Sequence, residues 1–316
     1  LRFAAGSGNK AAMPIRHAYL HGFASSSLST KGQALRRFYG ERGLEFQTPD
    51  LNAPSFAELS YTAMLARFDA FDRELDEREG VEPGSARWRL IGSSMGGFLA
   101  ARWAQLHPER VDRLLLLCPA FDFVERWPTL IGPQNFERWR ERGRFPLPDA
   151  TGKTVEVHFG LVEDAMTHPA RPEVPCPTTI IHGTRDTVVP IDSSREYAQA
   201  HADRVRLVEV DDDHLLTRSL ATIEAIAEAE LIAPRPTLYW DYFGATAEGT
   251  AAHFRAHLDE FLVREQLDGC ETGIEIITPG HHAAAWCRCP EPLVEILGRA
   301  LRPRRLSNHS GSKVSG

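Results

Sequence analysis

The stretch Leu90–Phe98, LIGSSMGGF, sets two serines among three glycines, and the reading of that stretch decides the fold. A backbone that doubles back sharply from a strand into a helix tolerates only small residues two places before and two places after the apex. Ser94 meets this condition with Gly92 and Gly96, whereas Ser93 would need Ile91 and Met95 in those places, and they would clash. Gly97 then lets the following helix pack close to the strand. RWRLIG, 87–92, reads as a strand and MGGFLAARWAQLHPE, 95–109, as an amphipathic helix. The G-x-S-x-G pattern therefore lies in the strand–turn–helix context that a nucleophile elbow requires. The competing reading is a glycine-rich turn with capping serines.

Outward from the elbow, apolar strand-like runs alternate with helical spacing from Ile15 to about Ala233: IRHAYLHGF, EFQTPDL, RWRLIG, VDRLLLLCPAF, TTIIHG and VRLVEV, with helical stretches between them. Near-continuous apolar strands indicate a sheet buried on both faces, so residues 14–233 read as a doubly wound, mainly parallel α/β domain. Ser55 reads as a helix N-cap, and Ser25–Ser27 and Ser29 as caps of the first helix. Asp192 reads as the cap of SSREYA. The rhythm breaks over about 121–175, a stretch that carries Trp127, Phe136 and Trp139. It is either a lid above the C-terminal edge of the sheet or a helical excursion with its own aromatic cluster, and the two are compatible.

Residues 1–13 read as a disordered leader, APRPTL (233–238) as a linker, and 307–316 as a disordered tail. Between them, 235–306 carries a β-α-β-β-α pattern, a small α+β module of ferredoxin-like type. His281, His282, Cys287 and Cys289, and the helical pair His253 and His257, are metal-capable. They lack the paired spacing of a zinc ribbon, so no metal site is expected. The aromatic strand Tyr239–Phe243 and Trp286 suggest packing or homodimerisation through this module. A net charge of -7 argues against nucleic-acid binding through a basic surface. No apolar run reaches the roughly 18 residues of a membrane span. Five irregularly spaced cysteines read as reduced thiols of a cytoplasmic protein.

A serine needs a base and an orienting acid to become a nucleophile. Downstream, TIIHGTRDTVVP places Asp186 just past one strand, and VRLVEVDDDHLL places His214 just past the last. The order Ser94, Asp186, His214 makes a candidate triad, with His214 taking the Ser94 proton and Asp186 holding the His214 tautomer. Asp164, Asp192, Asp211, Asp212 and Asp213 compete for the acid role, but the last three adjoin His214 too closely in sequence. The oxyanion donors would be the backbone N–H groups of Met95 and Phe23, with Gly22 opening space between them. The Phe23 side chain, Trp127 and Trp139 are the candidate substrate-binding residues. His21 reads as a structural hydrogen-bonder.

With these parts in place, the sequence resembles the α/β-hydrolase superfamily. The matching segments are HGFASSSLSTKGQ, LIGSSMGGFLAARWAQLHPERV, HGTRDTVVP and VDDDH. The HGF-x-SS opening looks like that of a family of small bacterial esterases. HGTRDTVVP followed by DDDH, with the segment between RGRFPLP and MTHPA, is similar to α/β-hydrolase palmitoyl-protein thioesterases. The resemblance implies six core parallel strands. Because the pattern starts directly at the HG strand, the usual first two strands of the sheet are expected to be absent. Together, residues and resemblance lead us to expect a serine hydrolase that cleaves carboxylic esters of small to medium acyl groups through an acyl-enzyme, without cofactor. The alternatives are a thioesterase or acyltransferase with the same triad, or a non-catalytic binding module on this fold.

Overall fold

The computed structural model describes residues 14–232, 236–267, 270–289 and 291–307. The leader at 1–13, residues 233–235 of the linker and tail residues 308–316 lie outside the described residues. The chain divides into two compact units, Leu1–Ala227 and Glu228–Gly316.

The N-terminal unit runs β1 (Ile15–Leu20), α1 (Thr30–Gly40), α2 (Tyr61–Glu79), β2 (Arg87–Ser93), α3 (Met95–Leu106) and β3 (Val111–Leu117). It continues with α4 (Trp127–Ile131), α5 (Pro133–Arg142), β4 (Arg144–Pro148), β5 (Thr154–His158), α6 (Gly160–Ala165), β6 (Thr178–Gly183), α7 (Ile191–Ala200), β7 (Val205–Val210) and α8 (Leu220–Glu230). Five strands form one parallel sheet in the order β1-β2-β3-β6-β7. Leu90, Ile91, Leu114 to Leu117, Ile180 and Ile181 are all buried. Both faces of the sheet are thus covered, as apolar strands demand.

The sixth strand expected over EFQTPDL reduces to one parallel bridge, Ala18 to Gln47. Gln47 exchanges two backbone bonds with β1, through Tyr19 N–H and His17 C=O. The pairing stops there because Pro49, two residues on, has no N–H to donate and restricts Thr48 before it. This remnant still matters for the site. The chain leaves β1 towards Gln47 on one flank and returns to β2 on the other. The crevice above the C-terminal ends of β1 and β2 is therefore the topological switch point, where ligands bind in open α/β sheets.

Local capping departs from expectation in two places. Ser29 does cap α1, accepting from Gly32 N–H at 3.2 Å. The next helix, however, starts at Tyr61 with Ser60 as its cap. Ser55 closes an isolated turn with Glu58 instead. Asp192 lies in the first turn of α7, behind the capping position at Pro190, and pairs with Arg195. The insertion between β3 and β6 is more than a helical excursion, because β4 and β5 form an antiparallel hairpin within it. Its aromatics join the main core. Trp139 packs edge-on against Trp127 and Phe159, and its indole N–H donates to Val157 C=O at 2.9 Å.

The C-terminal unit contains β8 (Thr237–Phe243), α9 (Ala247–Arg264), β9 (Glu271–Thr278), β10 (His282–Arg288), α10 (Glu291–Leu301) and β11 (Arg305–Ser307). Its four strands pair antiparallel in the order β11-β8-β10-β9. Strand β11 adds to the expected β-α-β-β-α pattern and takes in Ser307, which the sequence assigned to the tail. Leu238, Trp240, Cys287 and Cys289 form a separate core with Leu258, Leu262 and Leu297. Among the described residues, no helix is long and apolar enough to cross a membrane.

Candidate active site

Ser94 stands at φ 56° and ψ -119°, between β2 and α3. This is a conformation that L residues rarely adopt and that clusters at functional sites. Contacts on every side hold it there. A Cβ on Gly92 would lie 2.4 Å from Gly96 C=O, and one on Gly96 would lie 2.1 Å from Leu20 C=O and 2.5 Å from His21 C=O. The spacing argument from sequence thus has a concrete cause: β1, β2 and α3 meet backbone to backbone at these glycines. Ser93 is buried, with its hydroxyl against Tyr19, while Ser94 is half-buried.

Parallel pairing of β6 with β7 reaches Gly183 opposite Val210, so the two strands end side by side. A Cβ on Gly183 would sit 2.4 Å from Asp212 C=O, and Arg185 N–H donates to that same carbonyl at 3.0 Å. These contacts bring the two following loops together. His214 Nδ1 lies 2.7 Å from Asp186 Oδ2, as the sequence order led us to expect. Among the described residues, no hydrogen bond joins Ser94 Oγ to His214. Such bonds are often long before substrate binds.

The competing carboxylates are all committed elsewhere. Asp164 accepts from Thr62 N–H, Asp211 pairs with Arg185, and Asp213 closes a turn with Leu215. Asp212 accepts from Arg218 N–H and from the Ser219 hydroxyl.

Asp186 is held from several directions. Oδ1 accepts from the N–H groups of Val188 and Val189 at 2.8 and 2.9 Å. Oδ2 faces His214 and also His182 Nε2 at 3.2 Å. His182 is fully buried on β6, with Nδ1 2.8 Å from Ser194 Oγ and Nε2 2.9 Å from Val189 C=O. The sequence reading absorbed His182 into a strand and missed this supporting role. The available signal was a histidine four residues before the acid. Burial opposes ionisation of Asp186, yet hydrogen bonds from His182 and His214 outweigh it and hold the carboxyl well below the usual carboxylate range. Cys118, His182 and Asp186 form a compact cluster of potential metal donors. Burial pushes the Cys118 thiol up, and the thiol also hydrogen-bonds Asp186.

An acid whose folded pKa lies below its unfolded value, near 3.9, adds stability that is complete above about pH 5 and is lost as pH falls through the folded value. The difference in unfolding free energy between the wild type and Asp186→Asn is therefore expected to narrow as denaturant titrations move from about pH 5 to about pH 2. A difference constant over that range would contradict the ionised, caged carboxylate.

The loop after β1 completes the site. A Cβ on Gly22 would lie 3.2 Å from Ser94 Cβ and 3.8 Å from Ser94 Oγ. His21 fastens the loop: its Nε2 accepts from Leu51 N–H at 3.0 Å, and its Nδ1 lies 3.0 Å from Gly22 C=O. Among the described residues, the backbone amides of Phe23 and Met95 make no hydrogen bond. Lys31, on α1, donates to Leu215 C=O at 2.8 Å, tying this side to the His214 loop. Phe23 packs on Phe56 and edge-on against Trp127. Trp139 is fully enclosed, so it supports Trp127 from behind and offers no surface to a substrate. That corrects its assignment as a substrate-binding residue.

Away from this site, His253 and His257 approach each other with Nε2 atoms 3.2 Å apart. His282 bonds Asp241, which Arg305 also holds.

The elbow, the strand order and the meeting of the β6 and β7 loops define an α/β hydrolase. Residues 16–229 match the uncharacterised protein family UPF0227, and the chain belongs to that family. It is similar to a pimeloyl-[acyl-carrier protein] methyl ester esterase of Chromobacterium violaceum, 27% identical over 45% of this chain and 67% of that protein. It is also similar to the mitochondrial palmitoyl-protein thioesterase ABHD10 of Rattus norvegicus, 28% identical over 40% of this chain and 48% of that protein. The match thus spans about two thirds of the first relative and about half of the second. Among solved structures, Est1E from Butyrivibrio proteoclasticus, in a form with ferulic acid bound, aligns with TM-score 0.54 and 19% identity over 68% of this chain and 86% of that chain. The mouse alpha/beta hydrolase domain-containing protein 10 aligns with TM-score 0.51 and 22% identity over 69% of this chain and 89% of that chain.

Proposed function

We propose that the protein is a serine hydrolase that cleaves carboxylic esters of small to medium acyl groups through an acyl-enzyme. Ser94 Oγ attacks the acyl carbon while His214 takes its proton, and Asp186 fixes the imidazole tautomer and stabilises its cationic form. The tetrahedral oxyanion lies between the Phe23 and Met95 amides. His214 returns its proton to the leaving alcohol, and a water then repeats the sequence to release the acid.

The observation that carries this reading is the Asp186–His214 hydrogen bond, formed at the same C-terminal edge of the parallel sheet at which β2 turns into α3 through a serine at positive φ. The names of the relatives, esterases and thioesterases, agree with it. The ABHD10 relatives favour a second reading, thioester cleavage by the same groups. Matched oxygen and sulfur esters of acetyl, butyryl, octanoyl and palmitoyl chains separate the two. The expected result is a kcat/KM for the butyryl oxygen ester at least about tenfold above that for palmitoyl thioester. The reverse order would assign the protein to long-chain thioesters. We also read the C-terminal unit as ferredoxin-like, because β8-α9-β9 is split by β10 within the sheet, and as the contact of a homodimer.

A further inference from the structure

A cavity of about 210 Å³ lies in the N-terminal unit between the insertion and the helices α2 and α3. Its lining includes Tyr61, Phe98, Ala120, Phe123, Ala165 and His168, and none of Ser94, Asp186 or His214. It is nonetheless next to the elbow. Ala120 N–H donates to Ser94 C=O at 3.0 Å, and Phe98 stands on the first turn of α3. We propose that this cavity receives a neutral, ring-sized apolar group carrying one hydrogen-bonding oxygen, and that this group is part of the ester substrate. The second half of this inference rests on the hydrolase reading above; the first half does not.

Size comes first. A dry apolar cavity of about 150 Å³ holds benzene, so this one accommodates a ring with a short substituent. Two polar groups in its lining lack partners. The Tyr61 side chain is almost wholly buried, edge-on to Phe98, and among the described residues its hydroxyl makes no hydrogen bond. His168 Nδ1 is buried without a partner, while Nε2 lies 3.1 Å from Thr62 Oγ1. The buried, unpaired His168 Nδ1 costs free energy that a ligand oxygen would relieve, and the Tyr61 hydroxyl offers that ligand a second hydrogen bond. Burial, reinforced by the Asp164 carboxylate, pushes Tyr61 up, and burial pushes His168 down. Both therefore meet a ligand uncharged.

Charge then restricts the ligand. Asp122 and Glu125 also line the cavity, and Asp164 Oδ2 lies 3.7 Å from His168 Nε2. Arg171 offsets Asp122 at 2.6 Å, and the Arg102 guanidinium acts on His168. Glu125 and Asp164 have no arginine or lysine partner among the described residues. With Asp122, Glu125 and Asp164 set against Arg171 and Arg102, a ligand carboxylate or phosphate would meet net negative charge here, whereas a neutral ring with a hydroxyl or ether oxygen would not be repelled.

The test measures binding of three small probes to the full chain by calorimetry, in the wild type and in Ser94→Ala. The probes are 4-hydroxyphenylacetamide, phenylacetamide and 4-hydroxyphenylacetate. The hydroxylated amide is expected to bind, with the probe lacking the hydroxyl and the anion each about tenfold weaker or more. Tyr61→Phe, which keeps the ring in place, is expected to weaken the hydroxylated amide about tenfold and phenylacetamide little. Ala165→Phe, its fold checked by thermal melting, is expected to remove binding of both amides. Absent binding of the amide, equal affinity for the anion, or indifference to both substitutions would overturn the cavity assignment. Competitive inhibition of ester hydrolysis by the bound amide places the cavity on the substrate path, and binding without competition overturns that part. If Ser94 proves not to be a nucleophile, the probe affinities still decide the cavity, so the two failures are distinguishable.

Discussion

Ser94→Ala is expected to lower kcat for p-nitrophenyl butyrate by about 10⁴-fold or more, while Ser93→Ala keeps activity within about threefold of wild type. The contrast follows from where the two hydroxyls sit. Ser94 is half-buried at the apex of the turn, beside Gly22 and the free Phe23 and Met95 amides. Ser93 ends β2, is buried, and faces Tyr19. Removing the Ser93 hydroxyl loses one internal hydrogen bond, whereas removing the Ser94 hydroxyl loses the atom to which the proposed mechanism assigns the acyl bond. Comparable kcat in the Ser94→Ala variant and the wild type would remove Ser94 from the chemistry.

Gly96→Ala is expected to be the most damaging single methyl in the N-terminal unit. The new Cβ would lie 2.1 Å from Leu20 C=O and 2.5 Å from His21 C=O, both rigid backbone atoms. Relief requires α3 to move off β1, which separates the Met95 amide from the Phe23 amide. Overpacking costs about 1–3 kcal/mol where side chains can yield; with only backbone to move, the loss is expected at or above about 3 kcal/mol. For a domain of this size that lowers Tm by roughly 6–12 °C, and esterase activity falls with it. Gly97→Ala is the internal comparison, since its nearest contacts are 3.1 Å away and its loss should be smaller. Gly249→Ala on α9 meets nothing within 4 Å and should leave stability unchanged or raise it. Equal melting temperatures for Gly96→Ala and wild type would mean that the elbow is not packed as described.

The elbow, the β/α alternation and the Asp186–His214 pairing were legible because local spacing sets each of them. Glycines two residues either side of Ser94, and loops immediately after apolar strands, leave few other arrangements. Features that depend on distant partners were not legible in this way. His182 supports Asp186 only because a helix delivers Ser194 and a turn delivers Val189 C=O. Lys31 reaches Leu215 across 184 residues of sequence. Trp139 carries the same aromatic signal as Trp127, and only packing decides that Trp139 is wholly enclosed while Trp127, though buried at 5% exposure, meets Phe23 edge-on. Two misreadings did have local signals. Pro49 marks where the pairing at Gln47 must stop. The alternation in RFPLP and TVEVH, either side of DATGK, marks the β4–β5 hairpin.

The central claim is that Ser94 is a nucleophile activated by His214 and Asp186. The most direct measurement is labelling of the full chain with a fluorophosphonate, followed by peptide mapping of the adduct. A serine activated by a base displaces fluoride and keeps the phosphonyl group as a stable ester. The expected result is one adduct on Ser94, lost in Ser94→Ala and strongly slowed in His214→Ala and Asp186→Asn. An unlabelled protein, or an adduct on Ser93 or another residue that persists in Ser94→Ala, would contradict the assignment.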